Sequence, residues 1–104
     1  MEVQGVGTKL VLTEYGVRVE PTSILGSKTI IEIPYEQITS INWKAPTLLG
    51  RGWIHFATAS SPSGALSMPN LQPGAVIFRK QDLQDMEEAK ALVQKRVNAL
   101  RRTV

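Results

Sequence analysis

Within the strand-like segments up to Arg79 apolar residues recur at every second position, and from Leu83 they recur at every third or fourth. The period changes once and does not change back. A strand points successive side chains to opposite faces, whereas a helix gathers positions three and four apart onto one stripe. The order therefore predicts a run of short strands closed by a single helix, which is an α+β domain. With 104 residues there is room for one such unit, expected over 1–104. Hydrophobic residues make up 42% and charged residues 20%, enough of the first to bury a core and too little of the second for a disordered chain.

The strands are read within 9–79. Leu10 and Leu12 alternate with Val11, Tyr15-Gly16 breaks the run, and Val17 and Val19 alternate with Arg18 and Glu20, which predicts a hairpin. Residues 29–33 form a β-branched run ending at Pro34, whose missing N–H stops a ladder. A single helical turn over 34–38 leads to a strand over 40–44, a loop over 45–52 by its proline and glycines, and a strand over 53–59. In that strand Trp53, His55 and Ala57 share one face and Ile54, Phe56 and Thr58 the other. Residues 60–74 hold three prolines, two glycines and four serines, a composition expected of a flexible loop with room for a short edge strand at 65–68. Strand character returns at 75–79, with Val76 and Phe78 on one face.

The helix is expected over 82–103, with Asp82 as N-cap and Leu83, Met86, Ala89, Val93, Val97, Leu100 and Val104 on its apolar stripe. Asp82, Asp85, Glu87 and Glu88 crowd its start and Lys95, Arg96, Arg101 and Arg102 its end, each set where the helix dipole favours it. The stripe implies a helix that plugs an open end of the strands.

Four stretches carry a resemblance: Leu12-Thr13-Glu14-Tyr15-Gly16-Val17-Arg18-Val19, Ile33-Pro34-Tyr35-Glu36-Gln37-Ile38-Thr39-Ser40-Ile41-Asn42-Trp43-Lys44, Arg51-Gly52-Trp53-Ile54-His55-Phe56 and Ala75-Val76-Ile77-Phe78-Arg79. In this order, across roughly residues 9 to 100, they resemble the pleckstrin-homology-like (PH-like) domains of bacteria and their phages. The resemblance implies a barrel of about seven antiparallel strands in two near-orthogonal sheets, closed by the C-terminal helix. It also implies a binding scaffold without shared catalytic residues. The long 60–74 segment departs from the family pattern.

The residues offer little to catalysis. There is no cysteine, which excludes thiolate chemistry and disulfides and makes a reducing cytoplasm the expected compartment. His55 is the only histidine and its neighbours suggest packing, while Glu14, Glu32 and Glu36 have no spacing that pairs them. No enzyme activity, metal site, phosphate loop, cofactor or small-molecule substrate is expected. No stretch resembles a signal peptide or a membrane span.

Binding is what remains. The net charge of +3 is uneven: Lys90, Lys95, Arg96, Arg101 and Arg102 fall in the last sixteen residues with no acid among them, and the first 88 residues carry nine acids against seven bases. An adaptor for nucleic acid or an anionic membrane surface, using this basic half-helix, is the alternative reading. Phosphoinositide-binding PH domains gather cations at the first hairpin, but here that hairpin carries Glu14 and Tyr15, with only Lys9 and Arg18 nearby. The leading expectation is protein–protein contact, self-association included, through the 45–52 loop. Leu48 and Leu49 are adjacent there, flanked by Lys44 and Arg51, and neighbours on an extended segment cannot both turn inward. The competing expectation is that both leucines fold back as a lid on the barrel.

Overall fold

A computed structural model describes residues 1–22, 30–59 and 74–102, the side chain of Arg102 excepted. Of the expected elements, Thr29 at the start of the 29–33 run, residues 60–73 of the 60–74 loop with its edge strand, and Thr103 and Val104 at the end of the helix lie outside the described residues. Strands β1 (Glu2–Gln4), β2 (Thr8–Leu12), β3 (Gly16–Pro21) and β4 (Ile31–Pro34) form one antiparallel sheet in chain order. Strands β5 (Ser40–Lys44), β6 (Gly52–Ala57) and β7 (Ala75–Phe78) form a second, and α1 (Leu83–Arg102) ends the described chain. The class is α+β, as the single change of period implies.

The alternation read at the first hairpin sets its register. Leu10 stands opposite Val19 and Leu12 opposite Val17, all four buried, while Lys9 faces Glu20 and Arg18 faces Glu32 on the other side. That outer side carries a ladder of ion pairs: Lys9 to Glu2 at 3.8 Å and to Glu20 at 3.5 Å, Arg18 to Glu20 at 3.1 Å and to Glu32 at 3.6 Å. Pairs this exposed add little stability, but they keep one face wet and so hold the register. β4 stops at Pro34, and a single 3₁₀ turn, Tyr35–Gln37, passes the chain to the second sheet.

Among the described residues no ladder joins the two sheets. They meet where the β1–β2 turn reaches β7 and the Val6 N–H donates to the Ile77 carbonyl at 2.8 Å. Gly5 makes the approach possible, since a Cβ there would stand 2.6 Å from both the Ile77 oxygen and Val76 Cγ1. Between the sheets lies one core in which Leu10, Ile54, Phe56, Val76 and Phe78 are fully buried. Met86, Ala89, Val93 and Val97 close it from the helix, as their spacing predicts.

Three details depart from the sequence reading. β1 was not expected, because Val3 is its one buried side chain and a single apolar residue makes no pattern. Asp82 is not the N-cap: it is the last residue of a 3₁₀ turn, Lys80–Asp82, that runs straight into α1, so its backbone is already helical and Arg79 holds the extended position before it. Leu100 is 41% exposed, because the last turns of α1 pass the edge of the core. Strand β6, the central strand of its sheet, is buried on both faces, with His55 as fully buried as Phe56, in line with the packing its strand neighbours suggest.

Val93 is fully buried on the stripe, so Val93→Ala should lower the unfolding free energy by about 1–3 kcal/mol in denaturant titration. Ending the chain after Gln81 should remove the cooperative transition altogether. A truncated chain that stays monomeric and keeps its near-ultraviolet circular dichroism would contradict the role of the helix as plug.

Candidate functional site

The β5–β6 loop is a continuation of its hairpin. Lys44 pairs with Trp53, and three steps further out the Thr47 N–H donates to the Gly50 carbonyl at 2.9 Å. The same register thus runs to the end, and Leu48-Leu49 are the two residues of the tip. The first hairpin ends the same way, with the Thr13 N–H donating to the Gly16 carbonyl at 2.9 Å and Glu14-Tyr15 at the tip. Both turns read threonine, two residues, glycine. That repeat was the signal in the sequence that 45–52 is a hairpin end and not an irregular loop.

A two-residue tip has no interior to fold into. Leu48 is 87% exposed and Leu49 101%, and Lys44 and Arg51 on either flank are exposed too. The expectation that at least one leucine faces water is exceeded, and the lid does not form. Leu48 and Leu49 thus form the projecting tip, with Arg51 just behind it and Lys44 further back, where β5 ends.

The basic half of α1 is arranged differently. The Arg96 Nη1 donates to the Thr13 carbonyl and to the Tyr35 hydroxyl, both at 2.6 Å, and its guanidinium lies 5.4 Å from the centre of the Tyr35 ring. The Tyr35 hydroxyl in turn donates to the same Thr13 carbonyl at 2.6 Å. Arg101 donates to the Thr39 carbonyl at 3.0 Å, and Lys90 sits 4.9 Å over the Trp43 ring. Three of the five cations thus reach back from the edges of the apolar stripe to groups of the strands and turns. Lys95 is exposed, and the Arg102 side chain lies outside the described residues. What this half-helix does chemistry with is the chain's own backbone and rings.

The first hairpin is also committed. Lys9 and Arg18 face carboxylates across the strands, and the exposed tip residue Tyr15 stands next to Glu14, so no cluster of unpaired cations meets an incoming phosphate there. His55 lies against Asn42, its Nδ1 3.3 Å from the amide nitrogen, with no access to solvent. Among the described residues no three acidic or histidine side chains gather in a way that could hold a metal ion. No protein-family model, curated protein or solved structure matches the chain.

If the Arg96 contacts are structural, removing them should cost stability. Tyr35→Phe leaves Arg96 and the Thr13 carbonyl paired to each other and should cost about 0.5–1.5 kcal/mol, whereas Arg96→Met strips a charged donor from both and should cost about 1.5–3 kcal/mol. Thermal or denaturant unfolding of the two variants reads the difference. Equal stability of both with the parent chain would show the guanidinium to be free for a ligand.

Proposed function

We propose that this chain is a non-catalytic binding module built on the PH-like plan, a barrel of two near-orthogonal sheets with the C-terminal helix as its plug. Four and three antiparallel strands, a helix across their shared core and a backbone contact between the sheets at Val6 and Ile77 support that plan. The contact surface is the tip of the β5–β6 hairpin, formed by Leu48 and Leu49 with Lys44 and Arg51 beside them.

The observation that carries this reading is the exposure of both leucines, 87% and 101%, at adjacent positions. A lone exposed leucine is ordinary and needs no explanation. Two together at a projecting point leave apolar surface in water on all sides, and burial against a second surface is the favourable outcome. The basic half-helix supports the alternative poorly, because most of its described charges are used within the fold.

Replacing Leu48→Ser and Leu49→Ser together should abolish capture of partner protein on an affinity resin, and any self-association seen by light scattering. The melting transition should hardly move, since surface changes of this kind stay within about 0.5 kcal/mol. A loss of several kcal/mol, with binding lost only through unfolding, would make the leucines part of the core and move the contact surface elsewhere.

A further inference from the structure

The leucines alone do not say what they enter, and the charges around them do. β6 begins at Gly52 opposite Phe78, the last residue of β7, so one step further out Arg51 stands beside Arg79, with Lys80 next in the chain. Lys44 ends β5 on the other side. Three strand ends thus bring Lys44, Arg51, Arg79 and Lys80 to the tip end of the second sheet, and all four are exposed. None of them has an ion pair among the described residues, whereas both cations of the first sheet are paired. The next acids in the chain, Asp82 and Asp85, lie on the helical segment and not on a strand end.

We infer that this end of the molecule docks on an anionic lipid bilayer, with Leu48 and Leu49 entering the interface and the four cations facing lipid phosphates. The inference rests on the tip being the contact surface and adds its occupant. A hairpin tip is convex, so whatever receives it must close around two leucines at once. A bilayer interface does so by yielding, whereas a protein needs a matching slot. Nucleic acid matches the charge but offers nothing apolar to leucine, and base stacking asks for aromatic side chains, which the tip lacks. No helix among the described residues is long and apolar enough to cross a bilayer, so the contact made here is peripheral. Near a negatively charged leaflet each such cation strengthens binding about fivefold, and the field fades within a Debye length.

The test is co-sedimentation of the full chain with vesicles of phosphatidylcholine alone and of phosphatidylcholine mixed two to one with phosphatidylglycerol. Binding is expected on the mixed vesicles at low salt, not on the neutral ones, and should weaken steeply as salt is added. Arg79→Glu with Lys80→Glu should weaken it by at least about 25-fold, since two cations are removed and reversed. Leu48→Ser with Leu49→Ser should also release the chain, with an unchanged melting transition as proof of folding. Absence of binding to the mixed vesicles overturns the bilayer as occupant, and the tip still stands as a protein contact if the leucine variant loses capture or self-association. Vesicle binding that ignores the leucines, or binding to duplex DNA alone, shows bare charge at work and overturns the inference.

Discussion

Two sheets that share no ladder have to be held by something else, and the apolar stripe of α1 is that element. Met86, Ala89, Val93 and Val97 are buried against residues of both sheets, with Leu10 from one and Phe56 and Phe78 from the other in the same cluster. Neither sheet could bury its inner face alone at four or three short strands. The helix supplies the missing wall. Its burial is therefore a condition for the strands, not an addition to them.

Polar contacts then decide where the helix lies along that wall. Arg96 binds the Thr13 carbonyl and the Tyr35 hydroxyl together, and Thr13 also organises the first hairpin tip, its Oγ1 accepting from the Tyr15 and Gly16 N–H groups at 3.2 Å. One backbone carbonyl thus ties the helix, the 3₁₀ turn between the sheets and the β2–β3 turn. Apolar stripes tolerate sliding, because burial has no direction. Hydrogen bonds of fixed length do not. The cations at the edges of the stripe set the axial position that the stripe leaves open.

Much of this was legible in the sequence, and the limits have physical causes. The period-two runs placed the β2–β3 hairpin and the strands at 40–44 and 75–79, the last one residue too long, and the three-and-four spacing placed the buried face of the helix. Both signals come from burial, which the pattern records directly. Glu2–Gln4 escaped because a strand with one inward side chain has no period. The role of the basic residues escaped because charge in a sequence reports solvation or dipole, while a guanidinium at the edge of a stripe reaches carbonyls that are distant in the chain: Arg96 and Thr13 are 83 residues apart. The leucines were legible as residues. Their geometry was not, since it depends on a register that only pairing with β6 reveals.

The two hairpin tips show how such a fold separates structure from contact. Thr13-Glu14-Tyr15-Gly16 and Thr47-Leu48-Leu49-Gly50 close their strands with the same threonine-to-glycine hydrogen bond. At the first, the Tyr15 carbonyl accepts from the Tyr35 N–H at 3.0 Å, and the Thr13 carbonyl accepts from the Arg96 guanidinium, so the turn is fastened to the body of the domain. No contact of that kind reaches the second among the described residues. The fastened turn carries a carboxylate and a phenol and is used within the fold. The projecting turn carries two leucines and sits near cations that have no ion pair among the described residues. Neither tip has a residue at positive φ, so its two central positions make no demand for glycine or asparagine and most residue types fit there without strain. A position that costs the fold nothing, and that holds apolar side chains in water all the same, is where a requirement from outside the fold is written.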